Sequence, residues 1–330
     1  MQLYDKVLQA LKEKKGEWVS GESLSDALAV SRTAIWKQIK TLQAEGYIID
    51  SSPKKGYLLS ASPDLLLPLE VGPGLETQVL GQTNYLYYPE VDSTNIRARE
   101  LAAQGYPEGT VVVAETQTNG RGRRGRNWYS PAQAGIYFSV ILRPLVPLRD
   151  ISKVSLVAGL AVAENIEAQL DLRASIKWPN DVLINNKKVA GILAEAVTDM
   201  DSVEYIVLGI GLNINTPIQD FPDEFQARAT SAGAECGTSI SRVQVFQGML
   251  KYLEYYYFLF KDNKFSQILA KIKDRSIVLG QEVRLDTVNG YLMGQAIDID
   301  DNGCLLVRNQ EGIHTIMSGE ITILPHLSDR

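Results

Sequence analysis

Residues 174–215 read ASIKWPNDVLINNKKVAGILAEAVTDMDSVEYIVLGIGLNIN, and the spacing within this stretch decides the fold. Three strand-like segments, SIKWPNDVLI, KVAGILAEAV and EYIVLGIGLNI, are joined by short turns at Asn185-Asn186 and at Asp199 to Ser202. A parallel crossover needs a dozen or more residues, so strands this close must pair antiparallel. Upstream, YLYYPEV (85–91), TVVVAETQ (110–117) and IYFSVILRP (136–144) read as strands, and STNIRARELAAQG (93–105) as a helix capped by Ser93 or Thr94. A long amphipathic helix spans Ile151 to Leu170 with Val154, Val157, Leu160 and Ala161 as its inner stripe, and another covers 244–260. The fold expected for residues 75–262 is therefore α+β, with a mixed, largely antiparallel sheet backed by helices.

The ends of the chain follow different patterns. In GESLSDALAVSRTAIWKQIKTLQAEG (21–46), two helical segments meet at Ala29-Val30. Ser31 is an N-cap for the second, and Ile35, Ile39 and Leu42 fall on one face. Gly46 stops the helix, and YIIDSSPKKGYLL follows as a hairpin around Lys54 and Lys55. This is the pattern of a winged helix-turn-helix over residues 1–63, leaving Ser31, Arg32, Thr33, Trp36, Lys37, Lys54 and Lys55 to face DNA. Residues 1–63 hold nine Lys and Arg against seven Asp and Glu, +2, which leaves −8 for the remainder of a chain whose net charge is −6. That segregation favours nucleic acid as the partner of the N-terminal unit, although small three-helix units also serve protein contacts. After the connector SASPDLLLPLEVGPG (60–74), the last stretch, 275–330, alternates strands with turns at Asn289-Gly290, Asp301-Asn302-Gly303 and Glu311-Gly312, as expected of a small SH3-like β-barrel.

Composition narrows the chemistry. Only His314 and His326 are present, both near the C-terminus, which argues against a Ser-His-Asp hydrolase and a His-rich metal site. Cys236 and Cys304 form neither a disulfide framework nor a zinc pattern. With no charged-then-apolar leader and no long apolar run, a cytoplasmic protein with no membrane partner is expected.

The chemistry that remains runs on cations and backbone amides. NGRGRRGRNW (119–128) places four arginines within six residues between two strands. Its glycines permit close backbone approach to an anion, and its guanidinium forks suit phosphate and carboxylate. The GxxxxGK[ST] of a P-loop is absent. GIGLNIN (209–215) lacks the third glycine and the following helix of a dinucleotide fingerprint. KWPND (177–181) brings Lys177, Asn180 and Asp181 around a proline bend, where Asn180 and Asp181 are either Mg²⁺ ligands or simply a turn. Lys188 opens KVAGIL, whose Gly191 allows a ligand to approach. Charge without a nucleophile fits the joining of two anions, in which a carboxylate attacks an α-phosphate and the protein holds both and neutralises charge.

DSTN (92–95), GRGRRGRNW (120–128), KWPND, KVAGIL and GIGLNIN stand in the order seen in biotin protein ligases. The chain resembles the bifunctional bacterial members, which are also biotin-operon repressors. The resemblance implies an ATP-dependent ligase that makes biotinyl-5'-AMP and transfers biotin to a lysine of a carboxylase biotin carrier domain. It implies biotin contacts from Ser93, Thr94, Asn95, Gln117, Arg121, Gly122, Arg123, Lys188 and Gly191, with Arg123 and Lys188 in catalysis. Trp128, Lys177, Asn180 and Asn213 would serve the nucleotide, and Asp181 Mg²⁺. Biotin and Mg-ATP are expected as substrates with no tightly bound prosthetic group, operator DNA as a partner, and a homodimer on adenylate binding. The last strand, Thr322-Ile323-Leu324, departs from the family in lacking a basic residue. A non-catalytic biotin- or carboxylate-sensing DNA-binding regulator is the alternative reading.

Overall fold

The structure, a computed structural model, describes residues 2–14, 16–199, 202–287 and 290–324. Asn289, residues 200–201 of the expected turn at Asp199 to Ser202, and His326 lie outside the described residues. Two compact units make up the chain, Met1–Pro73 and Gly74–Arg330.

In the first unit, helices α1 (Leu3–Glu13), α2 (Gly21–Leu28) and α3 (Arg32–Ala44) precede a hairpin of β1 (Ile48–Ser52) and β2 (Gly56–Ala61) and a single helical turn, α4 (Pro68–Val71). Ser31 caps α3, its hydroxyl accepting from the Ala34 amide at 3.2 Å, and a left-handed Ala29 turns the chain between α2 and α3. The apolar stripe Ile35, Ile39 and Leu42 is buried against Leu8, Leu11 and Leu24, and the hairpin closes the cluster with Ile49 and Leu59. The helical spacing alone placed those side chains inward.

The second unit is built on a seven-stranded sheet of β3 (Tyr85–Tyr88), β4 (Val111–Ala114), β5 (Gly135–Leu142), β6 (Ser175–Lys177), β7 (Asp181–Ile184), β8 (Lys187–Asp199) and β9 (Ser202–Asn213). The strand order is β3-β4-β5-β9-β8-β7-β6, and only β3 and β4 pair in parallel. From the sequence, 175–184 reads as one strand. The structure divides it into the hairpin β6–β7 around a cis Trp178-Pro179 bond, because Lys177 pairs with Asp181 across the bend. Asn185 and Asn186 both take positive φ, as a two-residue turn into β8 requires.

Helix α5 (Thr94–Ala103) lies over β4, β5 and β9, and α6 (Ile151–Leu170) buries the expected stripe. After the short α7 (Asp223–Gln226) and α8 (Ala232–Cys236), α9 (Arg242–Lys261) packs along α6. A further helix, α10 (Phe265–Asp274), falls where no element was expected. The small C-terminal β domain is an antiparallel sheet of β10 (Glu282–Thr287), β11 (Gly290–Ile299), β12 (Leu305–Asn309), β13 (Gly312–Ile316) and β14 (Glu320–Ile323), in the order β13-β12-β11-β10-β14. Trp178 joins it to the large sheet, its buried indole donating to the Gly303 carbonyl at 3.0 Å. No helix among the described residues is long and apolar enough to cross a membrane.

Candidate active site

A cleft opens over the middle strands of the large sheet. Its floor is glycine: Gly191 on β8, and Gly209 and Gly211 on β9. A Cβ at Gly209 would lie 1.9 Å from Asn95 Oδ1, and one at Gly211 would lie 2.3 Å from Trp128 Nε1. Glycine is required here by space, since other elements lay their side chains flat on the sheet.

The start of α5 forms one wall. Ser93 is its N-cap residue, buried, with no cap bond from its side chain. The Thr94 amide donates to Gln117 Oε1 at 2.9 Å, and Gln117 Nε2 donates to the Ser130 hydroxyl at 2.9 Å. The Ser139 hydroxyl lies 2.8 Å from Thr94 Oγ1 and 2.6 Å from Asn95 Oδ1, while Asn95 Nδ2 donates to Glu195 at 2.8 Å. The result is a buried polar end, rich in amide and hydroxyl groups, suited to a neutral polar ligand group.

The arginine loop crosses above. Rungs at Gln117/Ser130, Gly120/Trp128 and Gly122/Arg126 make it a narrow hairpin. Arg121 pairs with Glu195 at 3.3 Å, and Arg123 donates to Asn180 Oδ1 at 2.9 Å. Arg124, at φ 57°, donates to the Asp286 carbonyl at 2.9 Å, and Arg126 pairs with Glu320. The last two bonds tie the hairpin to the C-terminal sheet. Cations also rise from the floor: Lys188 Nζ is 2.7 Å from Asp181 Oδ1 and 5.3 Å from the centre of the Trp128 ring. Burial lowers the pKa of both Arg123 and Lys177, against the attraction of Asp181. Cations that have lost water interact more strongly with an anionic ligand, so the cleft is charged at one end and polar at the other.

Ser93, Thr94, Asn95, Gln117, Arg121, Gly122, Arg123, Trp128, Asn180, Lys188 and Gly191, all expected from the sequence, line this single cleft. Lys177 and Asp181 stand at its charged end. Asn213 does not join them: it is buried and donates to the Thr230 carbonyl at 3.0 Å, fastening the chain that follows β9. Sequence reasoning missed Glu195, Ser130 and Ser139, which carry no local signal. It also passed over Gly209 and Gly211, whose signal lay in the GIGLN motif. Among the described residues no group of three His, Cys, Asp or Glu side chains could hold a metal.

The first unit offers a second surface. Ser31, Arg32, Thr33, Trp36 and Lys37 are exposed on α3, and Trp36 keeps half its surface in water. Lys54 and Lys55 are exposed at the hairpin tip, Lys55 lying over Trp18 at 5.6 Å. A tryptophan left in water among cations is the composition of a nucleic-acid contact.

Comparison with known proteins assigns a family to each of three parts of the chain. Residues 5–58 match a helix-turn-helix (HTH) domain, 87–213 the biotin/lipoate A/B protein ligase family, and 278–324 the biotin protein ligase C-terminal domain. The chain is 41% identical, over 96% of its length and 97% of the relative's, to the bifunctional ligase/repressor BirA of Bacillus spizizenii. The protein of that name in Escherichia coli is 30% identical over 93% of this chain and 94% of its own. Among solved structures, the biotin protein ligase of Aquifex aeolicus in complex with biotin and ATP superposes with a TM-score of 0.64 at 34% identity, covering 73% of this chain and 99% of that one.

Proposed function

Since the chain belongs to the biotin protein ligase family, among relatives that combine ligase and repressor, we propose that its cleft joins biotin to AMP and passes the biotinyl group to a carrier lysine. In the first step a biotin carboxylate oxygen attacks the α-phosphorus of ATP, and the bond to pyrophosphate breaks. In the second, the neutral carrier amine attacks the acyl carbon, AMP leaves, and the amine proton passes to solvent.

The observation that carries this reading is the polarity of one cleft. The amide and hydroxyl groups of Ser93, Thr94, Asn95 and Gln117 suit the ureido ring of biotin, and Arg123 and Lys188 face the opposite end. Lys188, already held by Asp181, turns to the ligand carboxylate and then to the phosphoryl oxygens, where charge builds up in the transition state. Trp128 over Gly191 and Gly211 offers a face for the adenine, and Lys177 and Asn180 serve the phosphates. Asp181 supplies one carboxylate and Asn180 one amide oxygen, which with phosphate oxygens is a usual Mg²⁺ donor set. That ion would screen the triphosphate. The arginine hairpin shields the mixed anhydride from water.

The N-terminal unit makes the protein a repressor. Arg32, Thr33, Trp36 and Lys37 read a major groove, while Ser31, Lys54 and Lys55 meet phosphates. A dimer on paired half-sites is supported by β8. It pairs with β9 from Ala190 to Asp199, but β7 covers it only as far as Gly191, so Leu193 to Thr198 present an open edge to a second copy.

Pyrophosphate exchange that depends on biotin, followed by mass spectrometry of an apo carrier domain, tests the enzyme. Biotin binding without exchange would identify a sensor instead. Sedimentation with and without biotin and ATP tests the dimer.

A further inference from the structure

Arg242, the first residue of α9, is fully buried and is not among the residues that line the cleft. Its Nη1 donates to Glu115 Oε2 at 2.7 Å and to the Gly135 carbonyl at 3.0 Å. Glu115 directly follows β4, and Gly135 opens β5. The twenty-residue connection that carries the arginine loop leaves the sheet at the first and returns at the second. One guanidinium therefore grips both roots of the lid.

The connection is organised as a hairpin from those roots to its tip. The Gln133 amide donates to the Glu115 carbonyl at 3.2 Å, Thr116 Oγ1 to the Ser130 carbonyl at 2.7 Å, the Trp128 amide to Gly120 at 2.8 Å, and the Gly122 amide to Arg126 at 2.7 Å. Burial changes sharply along it: Glu115 and Gly135 are buried, whereas Arg121, Arg124, Gly125 and Arg126 are not. Tyr137 fills the space beside Gly135, its hydroxyl reaching the Pro131 carbonyl at 3.2 Å. A buried ion pair is a poor source of stability compared with apolar packing, but it imposes geometry. Here that geometry is the separation of the two roots. Gln117 lies two residues beyond Glu115, so a change at the root propagates to the group that meets Thr94.

We propose that Arg242 is a positioning residue that clamps the hinge of the lid, setting the register of Gln117 and of the arginines above the cleft. The inference rests on the reading of that loop as the cover of a biotinyl-adenylate site. Lysine at 242 keeps the charge, but its side chain is one bond shorter and lacks the planar guanidinium whose Nη1 meets both acceptors, and Glu115→Gln keeps the shape but loses the charge.

The test uses the full chain without ligand and trypsin, which cleaves after the lid arginines. It is run at a temperature where each variant keeps its native circular dichroism. In R242K and E115Q, cleavage within 121–126 should accelerate about tenfold while cleavage elsewhere keeps its rate, and KM for biotin should rise about tenfold with kcat changed less than threefold. R242K that melts at lower temperature but is cut in the loop at the wild-type rate would reduce Arg242 to a structural role and overturn the proposal. The proteolysis needs no ligand, so failure of the clamp is distinguishable from failure of the ligase reading, which the exchange assay detects separately. Should R242K fail to fold, E115Q carries the same two readouts.

Discussion

The floor of the cleft and the tip of its lid both carry glycine, for opposite reasons. Gly209 and Gly211 sit in buried strands where any Cβ would strike Asn95 or Trp128. Gly125 sits in the exposed lid at φ 74° with open space around its Cα, so there the backbone angle is the constraint. A floor built on lost volume cannot give way, whereas a lid built on backbone freedom can move. Substitutions should therefore cost chemistry on the floor and retention on the lid.

The largest effect is expected at Gly209→Ala. The Asn95 amide is held by Ser139 and Glu195, so it cannot retreat from the new methyl without leaving buried polar groups unpaired. Biotin-dependent pyrophosphate exchange should fall by about 100-fold, some 2.7 kcal/mol in the barrier. Exchange within threefold of wild type would show that the floor does yield, and the contrast with the lid would collapse.

Next comes Lys188→Met, which removes the cation that rises from the floor. Losing one preorganised donor from a site of developing charge typically costs about 10² to 10³ in kcat. Exchange should drop by that factor, with biotin affinity, read by calorimetry, falling far less. An equal loss in both would assign Lys188 to binding alone.

Arg123→Gly addresses the lid. The variant loses the bond to Asn180 and a guanidinium that burial has made ready for an anion. The adenylate should still form, but it should leave roughly tenfold faster, a change of about 1.4 kcal/mol. Stopped-flow release of the adenylate measures this, and an unchanged off-rate would remove Arg123 from its role.

What could be read in advance divides along the same line. Local signals were legible: Ser31 before the Ile35, Ile39, Leu42 stripe yields α3, and α6 begins and ends where its periodicity does, because capping and amphipathicity act within a few residues. The α10 stripe of Phe265, Ile268, Leu269 and Ile272 had the same kind of signal but follows α9 so closely that it merges with its end. The cleft was legible through its motif residues. The residues that hold it in place were not, since Glu195 meets Asn95, Arg242 meets Glu115 and Glu320 meets Arg126 across 100, 127 and 194 positions. Asn213 shows the limit of a motif, because neighbours in sequence need not share a cavity.

The smallest effect concerns the latch between the lid and the C-terminal sheet. The hydrogen bond from Arg126 is the main influence holding the Glu320 carboxyl below its ordinary value of 4.5, with Arg124 and Lys177 adding to it. A carboxyl lowered in the folded state contributes stability that is present above its unfolded value and is lost as pH falls through the folded one. The latch should thus be unchanged from neutral pH to about pH 5 and should release below 4.5. Both partners are partly exposed, so solvent screens the pair and its contribution is small. Hydrogen-exchange protection factors over 121–127 should accordingly stay level and then decline in acid for the wild type. In Glu320→Gln they should begin about twofold lower and show no decline. If the wild type and the variant decline together, the lid is held by something other than this carboxylate, and its freedom would be set at the roots alone.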